Sequence, residues 1–215
     1  MGNGLIGEMH RYRLVAVVRS KTAEEAMATV NAVAEGGVKF IEITLTIPGA
    51  LGLIEALAER SNLYIGAGTV LTNEQAQNAI AAGARFVVSP TLELNLIPIC
   101  RGSGVACISG ATTPTEIVGA IRAGTDLVKI FPADCLGGPN FVRQMLGPFP
   151  DLRSMVSGGV SQDNIKEYVE LGVTGVVLGS PLLKNLLSEG GHGEVVRHVR
   201  HFVKLVDEAR VVSTA

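Results

Sequence analysis

Residues 14–44, LVAVVRSKTAEEAMATVNAVAEGGVKFIEIT, contain two short apolar runs with a helical pattern between them. The first run, LVAVVR (14–19), and the last, KFIEITL (39–45), are rich in the β-branched residues that favour strands. In the segment between them, TAEEAMATVNAVAEGG (22–37), apolar residues recur at helical spacing and two glycines end the pattern. The stretch therefore predicts a strand, an amphipathic helix and a second strand.

This unit recurs along the chain without a Pro/Ser-rich linker. Six further apolar runs are each followed by a helical pattern or a helix start signal: LYIGAG (63–68), RFVVSP (85–90), VACISG (105–110), DLVKIFP (126–132), RSMVSGG (153–159) and TGVVLGS (174–180). Strands that are apolar on both faces are typical of a parallel sheet covered by helices. About eight such units favour an α/β fold of the (β/α)8 TIM-barrel type over a doubly wound sheet.

The two ends of the chain are expected to complete a single domain over residues 1–215. Residues 1–12 precede the first strand and are predicted to form a short N-terminal helical extension beneath the barrel. The segment HGEVVRHVRHFVKLVDEAR (192–210) is predicted to be the closing helix. A solvated face is expected for four of its residues, Arg197, His198, Arg200 and His201.

Composition and charge exclude several classes of protein. The 215 residues are 47% hydrophobic and 18% charged, with a formal net charge of -2, so the chain is not disordered. No apolar run reaches the ~20 residues of a membrane span. No basic stretch is interleaved with aromatic residues, as nucleic-acid binding would require. We therefore expect small-molecule partners, with no nucleic acid and no membrane.

The cysteines and the first residues of the chain favour a cytoplasmic location. Cys100, Cys107 and Cys135 are odd in number, lack CxxC spacing and sit among apolar residues. They are expected to be buried reduced thiols. The segment MGNGLIGEMHRYR (1–13) has neither the order of a signal peptide nor a cleavage site.

Three charged residues interrupt or end the predicted strands: Lys129 in DLVKIFP, Glu42 in FIEITL and Arg19 at the end of the first strand. Lys129 shares strand parity with Phe131, so the two side chains point to the same side. Loss of hydration disfavours the charged form of a buried amine, and a neutral amine can form an imine with a carbonyl. Glu42 fits the general acid/base of that chemistry. The alternative is that the three charges form a buried structural network.

Glycine-rich turns follow the last two predicted strands. Ser157-Gly158-Gly159 and Gly179-Ser180 fall where barrels of this type commonly bind phosphate through backbone N–H groups. GAGTV (66–70) lacks the third glycine and the later acidic residue of a dinucleotide loop, so we do not interpret it as one.

From about Leu14 to the last helix, the sequence resembles the class I aldolases that act on 2-keto-3-deoxy-6-phosphogluconate (KDPG) and 4-hydroxy-2-oxoglutarate (KHG). The ordered motifs that carry the resemblance are VVRS, EGGVKFIEITLTIPGA, IGAGTVLT, FVVSPTLE, TPTE, DLVKIFPA, LGGPNFV, GPFP, SGGV and LGS. The resemblance implies a (β/α)8 homotrimer without metal or cofactor. It also implies a lyase of the Entner-Doudoroff pathway that cleaves KDPG to pyruvate and glyceraldehyde 3-phosphate.

By the same resemblance, Lys129 is the Schiff-base lysine and Glu42 the acid/base. Arg19 and Thr69 hold the pyruvate carboxylate, and Pro90 and Phe131 shape the pocket. The remaining substrate-binding residues belong to the two phosphate turns: Ser157, Gly158, Gly159, Gly179 and Ser180.

The chain departs from this family pattern at three positions. Thr46 stands where some members carry arginine, Ser109-Gly110 replaces a Pro-Gly after the fifth strand, and Ser157 replaces a threonine. These changes leave the chemistry intact but leave the preferred substrate open. The galactonate-derived and unphosphorylated keto acids are alternatives.

Three other functions are alternatives to the aldolase. Another phosphate-binding barrel, such as a sugar-phosphate isomerase or synthase, would need no buried imine-forming lysine. A metal-dependent aldolase would need clustered ligands on strand ends, whereas all four histidines lie near the termini. A binding protein without activity would gain nothing from a desolvated amine.

Overall fold

Eight parallel strands pair in chain order and close into a barrel, with β1 bonded to both β2 and β8. This computed structural model describes residues 2–213; the side chains of residues 2, 3, 180, 184 and 211–213 lie outside its description. The strands are β1 Leu14–Val18, β2 Phe40–Thr44, β3 Tyr64–Gly68, β4 Phe86–Val88, β5 Ala106–Ala111, β6 Leu127–Ile130, β7 Ser154–Val156 and β8 Gly175–Leu178. The predicted (β/α)8 barrel is confirmed.

Helices cover the outer face of the barrel and its amino-terminal end. They are α1 Gly2–Tyr12, α2 Ala23–Gly36, α3 Ala50–Ala58, α4 Asn73–Ala81, α5 Leu96–Gly102, α6 Pro114–Ala123, α7 Pro139–Leu146, α8 Ile165–Glu170 and α9 Ser180–Ser213. A short 3-10 turn, Asp134–Leu136, follows β6. In the part of the chain just described, no helix is both long and apolar enough to cross a membrane.

The first helix closes the amino-terminal end of the barrel. Leu5, Ile6 and Met9 of α1 are buried and belong to the same apolar cluster as Phe40 and Phe86. Apolar side chains therefore fill this end of the barrel interior. A ligand can approach the interior from the opposite end, where the strands finish.

The last helix is broken at Gly191, whose φ of 70° and ψ of -167° are not helical. Beyond the break, Val195, Val199, Phe202 and Val206 are buried against the barrel and α2. Gly36 makes this approach possible, because a Cβ there would lie 2.5 Å from Val199 Cγ1. The helix expected at 192–210 thus packs through these four apolar residues, which recur at helical spacing.

Capping interactions fix where several helices begin. Thr113 and Glu116 form a capping box at the start of α6, and Thr72 and Gln75 form one at the start of α4. Hydrogen bonds from the backbone and hydroxyl of Thr112, and from Thr113, lower the pKa of Glu116 to about 2. The Glu116 carboxylate is therefore more stable in the fold than in the unfolded chain.

Two expectations from the sequence are wrong. Cys135 is exposed on the 3-10 turn, whereas Cys100 and Cys107 are buried as expected. Loops run over the surface, and the apolar neighbour Leu136 packs against the core in place of the thiol. Ser109-Gly110 lies inside β5 and not after it.

Candidate active site

A cavity of about 590 Å³ opens at the carboxyl ends of the strands. The predicted site residues that line it are Arg19, Glu42, Thr69, Pro90, Lys129, Phe131, Ser157, Gly158, Gly159 and Gly179. Ser180 is the first residue of α9, and its side chain lies outside the described part of the structure. Aliphatic residues complete the wall, and the sequence does not distinguish them from ordinary core residues: Val17, Val160, Val177, Pro181 and Leu182.

Lys129 and Glu42 meet inside the barrel although 87 residues separate them. The Lys129 Nζ lies 3.5 Å from each of the two carboxylate oxygens of Glu42. Both residues are buried, with 6% and 1% of their surfaces exposed. The Nζ also lies 5.4 Å from the centre of the Phe131 ring. The lysine therefore has a carboxylate within ion-pair distance that can exchange protons with it.

Glycines on β3 make room for the Glu42 carboxyl group and for the Phe86 ring. A Cβ on Gly68 would lie 2.0 Å from Glu42 Oε1, and a Cβ on Gly66 would lie 2.3 Å from the Phe86 ring. The GAG segment that resembles a dinucleotide loop is therefore a packing feature inside the barrel. The sequence does not reveal this role, because nothing local in it identifies the partner across the strands.

A third glycine places the proline of the pocket. A Cβ on Gly110 would lie 2.2 Å from the backbone oxygen of Pro90. The backbone after β4 therefore rests directly on β5. This contact explains why glycine is needed at the second residue of the Ser109-Gly110 pair.

Arg19 and Thr69 meet at the exposed rim of the cavity. Arg19 Nη2 donates to Thr69 Oγ1 at 3.3 Å. Thr69 has a φ of 59°, in the left-handed region that residues other than glycine adopt at a cost of roughly 1–3 kcal/mol. Such strained residues cluster at functional sites, so this backbone conformation agrees with a binding role.

The turn after β7 presents free donors to the cavity. Gly158 and Gly159 have φ values of 97° and 67°, which favour glycine. Within residues 2–213, the N–H groups of Gly158, Gly159 and Val160 donate no hydrogen bond. Successive backbone N–H groups of this kind form anion-binding concavities.

A carboxylate packs against this turn. A Cβ on Gly159 would lie 2.2 Å from the Cβ of Asp134, so the Asp134 side chain rests on the glycine. The nearby hydroxyl of Tyr168 is buried, and burial together with the Asp134 charge raises the pKa of Tyr168 to about 12. The Tyr168 hydroxyl therefore stays protonated at neutral pH.

Thr46 lies outside the cavity lining. It is exposed, and its Oγ1 lies 3.0 Å from Thr44 Oγ1, which in turn donates to the Val18 carbonyl at 3.1 Å. At the position where some family members carry arginine, this chain therefore has a short neutral side chain. Among the residues that the structure describes, no three His, Cys, Asp or Glu side chains group as a metal site would require.

A profile of the family described as KDPG and KHG aldolase matches residues 5–198. The 2-dehydro-3-deoxy-phosphogluconate aldolase of Treponema pallidum is 38% identical over 162 residues, which are 75% of this chain and 77% of that protein. The 2-dehydro-3-deoxy-6-phosphogalactonate aldolase of Escherichia coli K12 is 33% identical, over 80% of this chain and 84% of that one.

Among solved structures, the KDPG aldolase of Legionella pneumophila superposes with a TM-score of 0.76 at 27% identity, covering 95% of this chain and 97% of that one. That structure holds pyruvate captured as a covalent carbinolamine. The resemblance noted from the sequence motifs is confirmed, as is the prediction of a lyase. The chain belongs to the KDPG and KHG aldolase family.

Proposed function

We propose that this protein cleaves 2-keto-3-deoxy-6-phosphogluconate to pyruvate and glyceraldehyde 3-phosphate through an imine on Lys129. The observation that carries the proposal is the buried Lys129 amine, 3.5 Å from the Glu42 carboxylate at the base of the cavity. Imine formation needs a neutral amine, and Glu42 is close enough to move protons on the substrate atoms next to the imine.

The proposed reaction begins when the Lys129 amine adds to the C2 carbonyl of the substrate. The carbinolamine takes up a proton from solvent and loses water, which gives a protonated imine; hydrolysis at the end of the cycle returns that proton. Glu42 removes the proton of the C4 hydroxyl, and the C3–C4 bond breaks. Its electrons pass into the enamine, and the aldehyde leaves. The protonated Glu42 returns a proton to C3, and water hydrolyses the imine to release pyruvate and free Lys129.

Arg19 and Thr69 are proposed to hold the substrate carboxylate, because the exposed guanidinium and the hydroxyl meet at the rim. The N–H groups of the Gly158-Gly159 turn are proposed to bind the phosphate, with Ser157, Gly179 and Ser180 beside them. Pro90 and Phe131 shape the space between these ends.

A coupled pyruvate-release assay over a panel of 2-keto-3-deoxy acids tests the proposal. The panel includes gluconate- and galactonate-derived acids, each with and without phosphate, and 4-hydroxy-2-oxoglutarate, which yields pyruvate and glyoxylate. We expect the highest kcat/KM with the phosphorylated gluconate-derived acid. If no compound in the panel releases pyruvate, the aldolase activity is ruled out.

A second candidate substrate is the galactonate-derived phosphorylated acid. The relative from Escherichia coli that carries that name covers most of the chain, and the two acids differ at one carbon. A kcat/KM that is higher for the galactonate-derived acid would reassign the substrate and leave the imine chemistry in place.

A homotrimer in the cytoplasm is proposed together with this activity. A groove of about 300 Å³ between α3 and α4 is lined partly by Leu45, Ile47 and Leu51, and the Leu51 side chain is exposed. Such an apolar surface suits contact between subunits. Light scattering coupled to size-exclusion chromatography should give a mass about three times the 22.4 kDa of one chain. A monomer mass would contradict the trimer.

The proposed cytoplasmic location is supported by the cysteines. The buried reduced thiols Cys100 and Cys107 suit a reducing compartment.

A further inference from the structure

The turn after β7 is anchored through the two peptide units that flank its centre. The carbonyl of Ser157 accepts a hydrogen bond from Ala133 N at 2.8 Å. The carbonyl of Gly159 accepts one from the Asn164 side chain, Nδ2, also at 2.8 Å. The first anchor is main chain, whereas the second depends on one side chain.

The orientation of the Asn164 amide is set by a second bond. Its Oδ1 accepts from Ser161 N at 2.9 Å, so the amide bridges the backbone on both sides of Val160. The opposite orientation would place the Nδ2 group against a donor and the Oδ1 against an acceptor. The two partners therefore select the orientation in which Asn164 donates to Gly159.

Peptide planarity connects this bond to the cavity. In a trans peptide the C=O and the following N–H point in opposite directions. When Asn164 holds the Gly159 carbonyl on the side of α8, the Val160 N–H must point the other way. Val160 lines the cavity, and its N–H donates to no residue within 2–213. The same geometry directs the Gly158 N–H through the bond between Ala133 and Ser157.

We propose that Asn164 is a positioning residue for the phosphate end of the substrate. It keeps the Val160 N–H directed into the cavity without lining the cavity itself. This inference rests on the proposed phosphate role of the Gly158-Gly159 turn. It predicts that Asn164 determines preference for phosphorylated substrates and has little influence on imine chemistry.

Two variants and one control test the role. Asn164→Ala removes both side-chain bonds. Asn164→Asp retains an oxygen that accepts from Ser161 N, and aspartate is as favourable as asparagine at the start of a helix. It places a carboxylate oxygen against the Gly159 carbonyl, so the bond to that carbonyl is lost. Gln162→Ala changes an exposed residue of the same loop and serves as the matched control. Thermal unfolding of all three variants shows whether they remain folded.

The readout is the split between KM and kcat for the phosphorylated and unphosphorylated acids. Both Asn164 variants should raise KM for the phosphorylated acid about tenfold or more, which is the scale of one charge-assisted hydrogen bond. Their kcat for the phosphorylated acid and their kcat/KM for the unphosphorylated acid should stay within about threefold of the native values, which is less than the effect of one hydrogen bond to a charged group. The inhibition constant of inorganic phosphate against the unphosphorylated acid should rise in parallel.

Equal losses of kcat/KM on both substrates would overturn the proposed role of Asn164, as would an unchanged KM for the phosphorylated acid in Asn164→Asp. Either result would leave the phosphate role of the turn in place. If the native enzyme neither prefers phosphorylated acids nor is inhibited by phosphate, the phosphate role of the turn is wrong. The role of Asn164 then falls with it. The two failures are distinguished by the native enzyme.

Discussion

The carboxyl group of Glu42 occupies the space that a side chain on Gly68 would fill. A Cβ on Gly68 would lie 2.0 Å from Oε1 and 2.5 Å from Cγ of Glu42. The register of β2 and β3 pairs Thr44 with Gly68, so the glycine lies one strand away and two residues above the acid. The position of Glu42 beside Lys129 therefore depends on the absence of a side chain at Gly68.

Substitution of Gly68 by alanine should move Glu42 away from Lys129. The Glu42 carboxyl is the end of a flexible side chain, so it can shift while the barrel remains folded. We expect Gly68→Ala to form the pyruvate adduct but to lose about 100-fold in turnover, the usual scale of a general acid/base. Gly52→Ala, at a position with open space around it, should retain activity. Native turnover in Gly68→Ala would show that Glu42 tolerates the methyl group.

Replacement of Glu42 by glutamine should separate imine formation from proton transfer. The amide keeps the size of the side chain but cannot accept a proton from the substrate hydroxyl. Glu42→Gln should therefore still give an adduct with pyruvate and borohydride, but its turnover should fall about 100-fold or more. Exchange of the pyruvate methyl protons with deuterated water, followed by NMR, measures the proton step directly. Exchange at the native rate would assign that step to another group.

Borohydride reduction in the presence of pyruvate should label the Lys129 peptide. Lys129 is the lysine that lines the cavity among the residues described there, whereas Lys39 and Lys166 lie elsewhere. Lys129→Ala should lose turnover, and Lys129→Arg should do no better because guanidinium stays charged. Peptide mass spectrometry locates the adduct. A label on Lys39, Lys166 or Lys184 would exclude Lys129 as the nucleophile.

Removal of the Arg19 guanidinium should weaken the binding of phosphorylated and unphosphorylated substrates alike, because both carry the carboxylate. A charge-assisted hydrogen bond contributes about 1.5–3 kcal/mol, so kcat/KM for both should fall roughly 10- to 100-fold. Thr46→Arg restores the arginine that some family members carry and should raise kcat/KM. A loss in Arg19→Ala that is confined to the phosphorylated acid would place Arg19 at the phosphate end.

Acid should weaken the fold partly through Glu116. Its pKa is about 2 in the fold against an ordinary value of 4.5, because capping hydrogen bonds favour the carboxylate. This contribution is fully present above pH 4.5 and is lost as the pH falls toward 2. Urea unfolding between pH 6 and pH 3 should show that the stability difference between native protein and Glu116→Gln shrinks with acid. Glu74→Gln, in the first turn of α4, is the control, and a constant difference across this range would contradict the prediction.

Much of the barrel was predictable because its signals are local. Each strand is a short apolar run and each helix carries its own periodicity and caps, as in residues 14–37 with the Thr22 cap and the Gly37 end. Lys129 and Glu42 were identified because a charge inside an apolar strand is conspicuous wherever the strand lies. The turns at Gly158-Gly159 and Gly179 were found from glycine and from their order along the chain.

Other features depend on residues that meet only after the barrel closes. Gly68 opposes Glu42, Gly110 supports Pro90, and Asn164 holds the Gly159 carbonyl. Glycine is required at such a position because another atom lies too close for a side chain. An amide is required because it bridges one donor and one acceptor. Strand register and loop packing bring those partners together, so the sequence by itself determined the fold and the reacting pair. The tertiary structure decided how that pair and the Gly158-Gly159 turn are held in place.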